Sequence, residues 1–217
     1  QPSVALVFDN SLGGYVGPFY GRRSRLELAQ SIGDWRFTQA VLDSRRYDHL
    51  FGPFTLATQL LYFGRIGRDA EQFRVFLGST ELVRGNTSGS YGRHECRTAS
   101  FSCNQFDRLV GTQVAVGKVE LRFPLLNASL GFIPVGFPPI EGAFFYDVGI
   151  AWDERSTLKF SHDVGDDPLN VRTPLQSLGA SIRANVLGFV IIRADYSFPQ
   201  NRPGVKGFWT LSLGPTF

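Results

Sequence analysis

The stretch "GKVELRFPLL", residues 117–126, decides the fold class because its side chains alternate between two chemistries. In an extended chain, residues two apart share a face, so one face of this stretch is apolar and the other is charged. The apolar face carries Val119, Leu121, Phe123 and Leu125, and the charged face carries Lys118, Glu120 and Arg122. The stretch therefore predicts a β-strand that separates two different environments.

The same alternation recurs along the whole chain. It is clear in residues 142–153, 177–186, 189–198 and 207–217, and weaker in residues 3–10, 20–31, 34–47, 53–64 and 72–83. With the first stretch, these make ten predicted strands. The composition agrees, since 20 Phe, 7 Tyr and 24 Gly without any Met favour strands and turns over helices. At this length, we expect one all-β domain over residues 1–217.

The predicted connections alternate in length. Short turns are expected at Gly33–Asp34 and at residues 186–188, and long polar loops at residues 84–108 and 154–172. Short turns on one side and long external loops on the other are typical of an outer-membrane barrel. With the C-terminus on the short-turn side, an even number of strands would return the N-terminus to that side.

Alternation alone does not say which face is buried, so a soluble sandwich or lipocalin-like barrel is the alternative to a membrane barrel. Aromatic residues end the apolar faces of two strands, Phe144 with Trp152 and Trp209 with Phe217. Their spacing spans about 26 Å at ~3.3 Å per residue, close to the height of an apolar band with aromatic girdles. Charge on the opposite faces would be costly in a dry core. We therefore expect an antiparallel transmembrane β-barrel.

The net charge of +3 is weak evidence for a nucleic-acid partner, because the basic residues are scattered. Two short clusters occur, at Arg22, Arg23, Arg25 and at Arg45, Arg46. We interpret them as a solvated rim or inner face rather than a site for a polyanion, and expect no nucleic-acid partner. No run of about 18 apolar residues occurs, which excludes a transmembrane helix.

The two cysteines, Cys96 and Cys103, lie in a polar stretch rich in Gly, Ser and Asn. Their spacing predicts a disulfide that closes a small loop in an oxidising compartment. A metal site with His94 is the alternative, but zinc takes three or four protein ligands and this stretch offers two sulfurs and one imidazole.

Enzyme motifs are absent from the sequence. It contains no G-x-S-x-G, H-E-x-x-H or G-x-x-x-x-G-K-[ST] pattern. His49, His94 and His162 lie in turn or loop stretches and are interpreted as solvated. We expect no catalytic residue, no cofactor and no metal, so the chain is not expected to be an enzyme.

Three stretches together resemble a known family. "LVRGN" at the start of the long loop, "VELRFPLL" on the next strand and "FFYDVGIAWD" on the one after resemble the C-terminal barrel of the outer-membrane assembly superfamily that includes BamA, TamA and the bacterial surface antigens. The last three strands, "SLGASIRANVLGFVIIRADYSFP" and "FWTLSLGPTF", fit it as well. The resemblance is clear over residues 70–217 and rests on strand rhythm elsewhere.

The resemblance implies a site. In the family, a V-R-G-[FY] motif of the long loop folds back into the barrel, where its Arg pairs with acidic residues of the wall. The matching residues are Val83, Arg84 and Gly85, and their acidic partners map to Glu120 and Asp147. Asn86 replaces the aromatic residue that the family prefers. The final strand also resembles the family's C-terminal assembly signal, here carried by Trp209, Leu211, Leu213 and Phe217.

The resemblance further implies location, partners and role. It places the chain in the outer membrane of a Gram-negative-type bacterium, in contact with lipid and with the outer-membrane assembly machinery. Family members that insert or secrete proteins have sixteen strands, whereas about ten are predicted here. The chain is then either the C-terminal part of a larger barrel or a reduced barrel. A larger barrel would be completed by missing N-terminal strands or by another chain. The first implies protein assembly or secretion. The second implies a membrane anchor, a pore or a partner-binding surface without insertase activity.

Overall fold

The computed structural model describes residues 1–14, 16–92, 95, 104–126, 139–160, 170–186, 188, 190–202 and 204–214. In chain order, its strands are β1 (Ser3–Asp9), β2 (Leu12–Gly13), β3 (Pro18–Ser31), β4 (Phe37–His49), β5 (Thr55–Ile66), β6 (Val75–Phe76), β7 (Val110–Gly111), β8 (Gln113–Leu126), β9 (Ile140–Trp152), β10 (Thr157–Leu158), β11 (Val171–Arg172), β12 (Leu175–Val186), β13 (Val190–Pro199) and β14 (Phe208–Leu213). Helical structure comprises the helix α1 (Asn104–Asp107) and two 3-10 turns, Ala70–Phe73 and Ser88–Ser90. Among these described ranges, the helical segments lack the length and the apolar character that a membrane span requires.

One antiparallel sheet organises the described residues, which confirms the all-β prediction. Nine strands follow each other in the order β1-β3-β4-β5-β8-β9-β12-β13-β14, and the two-residue β2 adds to β3. Neighbours in this order pair antiparallel throughout. Within the described part of the chain, β1 and β14 remain the two edges and do not pair with each other.

The two faces of the sheet have opposite chemistries, and the polar one is buried. We call the face that carries Glu120 and Asp147 the inner face, and these two side chains are 1% and 0% exposed. On the outer face, Phe144 is 59% and Leu211 74% exposed. Since a protein dissolved in water buries its apolar face, this distribution indicates an outer face that contacts lipid.

Aromatic side chains lie at both ends of the outer face. At the end where β8 finishes and β9 begins, Phe54 stacks near Phe123 (ring centroids 5.9 Å apart), and Phe123 near Phe144 (5.6 Å). At the opposite end, the rings of Tyr62 and Trp152 are 6.2 Å apart. Two aromatic belts that flank an apolar band are typical of strands that cross a membrane.

The strand predicted at residues 72–83 is wrong. Only Val75–Phe76 is extended there, paired with Val110–Gly111 outside the main sheet. Leu77 and Val83 are fully buried and pack in a cluster with inner-face residues such as Val114. The apolar residues of this segment therefore pack against the sheet from inside and do not form a strand of it.

The prediction that the short turns and both chain ends lie on one side of the barrel is also partly wrong. The connections at residues 67–112 and 153–174 lie at one end of the strands, called the long-loop side. They contain the loops predicted at 84–108 and 154–172. The turn at 50–54 lies at the opposite, short-turn side, where β12 also ends and β13 begins. The turn containing Gly33–Asp34 lies on the long-loop side, where the Arg36 amide donates to the Asp69 carboxylate. Because nine strands is an odd number, Ser3 lies on the long-loop side while β14 ends on the short-turn side.

Candidate functional site

The structure brings together the three charged residues that the sequence resemblance singled out. The Nε of Arg84 donates to Asp147 Oδ2 at 2.7 Å and its Nη2 donates to Oδ1 at 2.6 Å, a two-bond fork. The Nη1 of the same guanidinium donates to Glu120 Oε1 at 2.7 Å. Arg84 lies in the connection between β5 and β8, whereas Asp147 and Glu120 lie on adjacent strands of the inner face. One side chain therefore fastens the connection to two strands.

The cluster is fully buried, and the Arg84 guanidinium lies between two carboxylates. The side chains of Arg84, Glu120 and Asp147 are at most 1% exposed. Burial by itself lowers the pKa of Arg84, but the carboxylates of Asp147 and Glu120 outweigh it and raise that pKa above its ordinary value. Arg84 therefore stays charged throughout the accessible pH range.

Further arginines of the inner face complete a network that sequence reasoning missed. Glu120 also accepts from Arg183 Nη2 at 2.6 Å and from Arg122 Nε at 2.9 Å. Asp195 accepts from Arg193 Nε at 2.9 Å and from the Ser181 hydroxyl. Each of these residues occupies a polar position of an alternating strand, which was the available signal, but their mutual contacts depend on strand register.

Two glycines allow the connection to approach the sheet so closely. Gly85 has φ +76° and lies where an added Cβ would be 3.0 Å from Ser177 Oγ and 3.1 Å from Ser197 Cβ. On β9, a Cβ at Gly149 would be only 2.5 Å from a methyl carbon of Val83. Gly149 therefore provides room for Val83 of the connection, and Gly85 lets the connection approach β12 and β13.

We expect Gly85→Ala to destabilise the docked connection, because the new methyl group meets two strands and the left-handed backbone disfavours a side chain. Strain of this kind costs about 1–3 kcal/mol. Thermal unfolding followed by the heat-dependent shift in gel mobility should show a lower midpoint. Gly89→Ala is the matched control, because a Cβ there has no atom within 4 Å. Equal midpoints for the two variants would contradict this view of Gly85.

The departure of Asn86 from the family motif is accommodated by other residues. Asn86 is buried, donates from Nδ2 to the Arg84 carbonyl at 3.2 Å and accepts from the Tyr91 hydroxyl at 3.2 Å. The aromatic contact of Arg84 comes instead from Phe145, whose ring centroid is 3.5 Å from the guanidinium carbon. The ring that stacks on the Arg84 guanidinium thus comes from strand β9 of the sheet rather than from the motif itself.

A second arginine fastens the same connection from the long-loop side. Arg202, between β13 and β14, donates from Nε and Nη2 to the two carboxylate oxygens of Glu95, each at 2.7 Å. It also donates to the carbonyls of Gly85 at 2.9 Å and Ser90 at 2.7 Å, and its guanidinium carbon lies 3.9 Å from the centroid of the Tyr91 ring. We call residues 79–92 the docked segment: Arg84 fastens it to the inner face, and Arg202 fastens it to the loop after β13.

Other buried arginines join the connections of the long-loop side. Arg108 donates from Nη2 to the Asn201 carbonyl at 3.1 Å, and burial lowers its pKa to about 10, so it remains charged at neutral pH. Arg172 pairs with Asp153 at 3.0 Å and donates to the Asp107 carbonyl at 3.0 Å. Three connections of the long-loop side, 67–112, 153–174 and 200–207, are therefore linked by arginines, although the spacing of these residues in sequence gave no indication of it.

The remaining predicted site residues are placed only in part. Trp209, Leu211 and Leu213 lie on the exposed outer face of the edge strand β14, and Trp209 packs 5.1 Å from Tyr196. Phe217 lies outside the described residues, as do Cys96 and Cys103, so the assembly signal and the disulfide stay predictions. Among the residues that are described, no three His, Cys, Asp or Glu side chains form a group that could hold a metal ion.

A sheet that buries charge on one face and exposes apolar and aromatic side chains on the other belongs to a β-strand membrane protein, here with a loop docked on its polar face. The family model of the Omp85 superfamily domain matches residues 4–217. The chain therefore belongs to the Omp85 superfamily, which confirms the resemblance seen in the sequence. This is an outer-membrane family of Gram-negative bacteria whose members are translocation and assembly factors rather than enzymes. Comparison with curated proteins gave no match.

Proposed function

We propose that this protein acts in the assembly or secretion of proteins at the outer membrane of a Gram-negative-type bacterium. The observation that carries the proposal is the docked segment, which a single buried guanidinium joins to β8 and β9. Family membership supports a role in insertion or secretion at the level of the superfamily. The exposed edge strand β14 is the surface on which the assembly machinery would act, through Trp209, Leu211, Leu213 and Phe217.

We propose further that strands outside this chain segment complete the barrel. Both edge strands, β1 and β14, run from the long-loop side to the short-turn side, since the antiparallel order contains nine strands, an odd number, with β1 and β14 at its ends. Direct pairing of β1 with β14 would be parallel, whereas membrane barrels of bacteria pair antiparallel. An odd number of further strands restores antiparallel closure, and seven would give the sixteen strands implied by the family. A preceding segment or another chain could supply them.

The test is reconstitution of the full-length protein, purified from its native membrane, into phospholipid vesicles. We expect it to resist extraction from the vesicles by high salt, and to accelerate the folding of a urea-unfolded outer-membrane β-barrel severalfold over empty vesicles. Arg84→Ala should reduce this acceleration. Arg68→Ala changes an exposed arginine of the same connection and should leave it unchanged.

Two outcomes would decide against the proposal. Release of the wild-type protein by high salt would contradict the membrane location itself. Firm insertion without any acceleration of folding would instead favour a reduced barrel that serves as an anchor, a pore or a partner-binding surface. Conductance across a planar bilayer would then separate a pore from the other two.

A further inference from the structure

Two arginines interrupt the apolar outer face near the short-turn side. Arg22 on β3 and Arg46 on β4 are direct partners in the strand register. Farther along the two strands, towards the long-loop side, the same face is apolar, and Leu26 pairs there with Leu42. Since like charges directly opposite each other destabilise a strand pair, this position requires a compensating negative charge.

The protein compensates one of the two charges. Asp48 accepts from Arg46 Nε at 3.0 and 2.8 Å in a pair that is largely exposed. Within the described residues, Arg22 forms no ion pair, and its guanidinium carbon lies 5.9 Å from the ring centroid of Phe8. Two guanidinium groups and one carboxylate leave one positive charge in excess.

A cavity of about 320 Å³ opens at this position. Tyr20, Ser24 and Ser44 are among the other residues that line it, and the two serines are direct partners in the register. Asp48 also lines the cavity, as does Arg45, whose charge is paired with Asp43. Hydroxyl groups and guanidinium forks are donors suited to a phosphate, and an arginine fork can bind two of its oxygens. We call Tyr20, Arg22, Ser24, Ser44 and Arg46 the arginine patch.

We propose that the arginine patch binds the headgroup phosphate of an anionic phospholipid in the leaflet at the short-turn side. The patch lies on the outer face near the short-turn side. The strand register aligns Arg46, through Thr58 and Val119, with Tyr146, one outer-face position from Phe144 of the aromatic belt. Headgroups meet the hydrocarbon near such a belt. An arginine on the lipid face costs little at that depth and much more at the midplane. The single excess positive charge selects a headgroup with net negative charge over a zwitterionic one. The inference rests on the proposed membrane location but not on any role in protein assembly.

Native mass spectrometry tests the proposal with the full-length protein in micelles doped with phosphatidylglycerol or phosphatidylethanolamine. We expect the wild-type protein to retain phosphatidylglycerol in preference to phosphatidylethanolamine. The double variant Arg22→Gln with Arg46→Gln should retain at most about one tenth as much phosphatidylglycerol as the wild-type protein. The matched control is Arg36→Gln with Arg68→Gln, two exposed arginines on the long-loop side, which should behave like wild type. Each single variant should lie between wild type and the double variant.

Equal retention of phosphatidylglycerol by wild-type protein and the double variant would overturn the proposal. So would equal retention of the two lipids by wild-type protein, because the excess charge would then select nothing. Displacement of the lipid by millimolar inorganic phosphate would assign the patch to a free anion instead. Salt extraction from vesicles, measured in parallel, shows whether the membrane location holds even where the headgroup site fails.

Discussion

Arg84→Ala should release the docked segment from the inner face and leave it open to proteolysis. The change removes three side-chain hydrogen bonds to Asp147 and Glu120 and leaves their carboxylates buried next to each other. Breaking a buried ion pair from one side typically costs about 3–5 kcal/mol, whereas losing an exposed pair costs about 0–1 kcal/mol. Limited proteolysis of protein in micelles should therefore cut the variant between residues 79 and 92 much faster than wild type.

The matched control for this experiment is Arg68→Ala. Arg68 lies in the same connection, but its side chain is 68% exposed and its ion pair with Asp69 is at the surface. Adding Asp147→Asn to Arg84→Ala should recover part of the lost stability, because it removes the buried carboxylate that loses the two-bond fork, whereas Glu120 keeps Arg183 and Arg122. Identical cleavage of Arg84→Ala and Arg68→Ala would show that the guanidinium does not hold the segment.

Arg202→Ala should loosen the same segment from its other side, with a loss of similar size. Arg202 is 3% exposed and contributes two bonds to Glu95 in addition to those with the carbonyls of Gly85 and Ser90. Removing it leaves the buried Glu95 carboxylate without this arginine, so we expect a cost of about 3–5 kcal/mol. Hydrogen exchange should accelerate in residues 85–92, while residues 79–84 stay protected by Arg84.

Lys206→Ala provides the control, because Lys206 is an exposed cation of the same connection between β13 and β14. The double variant Arg84→Ala with Arg202→Ala measures whether the two arginines act together. If the docked segment leaves the sheet as one unit, the double variant should lose less stability than the sum of the single losses. Unchanged exchange in Arg202→Ala would mean that Arg84 alone holds the segment.

The sequence was sufficient for the antiparallel sheet, the chemistry of its faces and the three members of the charged cluster. Alternation is a local property, so Lys118, Glu120 and Arg122 could be assigned to one face without knowing any partner strand. Residues 72–83 were misassigned for the same reason. Their apolar side chains contact Val114 and other residues of the inner face, and a period of two cannot distinguish a strand from a segment packed against one.

The strand period, the membership of the Omp85 superfamily and the candidate residues Arg84, Glu120 and Asp147 could all be inferred from the sequence. The odd number of strands in the sheet, the aromatic contact from Phe145 and the second anchor at Arg202 became apparent only in the folded chain. The two groups differ in the sequence distance over which the interactions act. Which face a strand residue occupies follows from its immediate neighbours, whereas Arg202 reaches the Gly85 carbonyl across 117 residues of chain, a contact set by strand register and loop packing together.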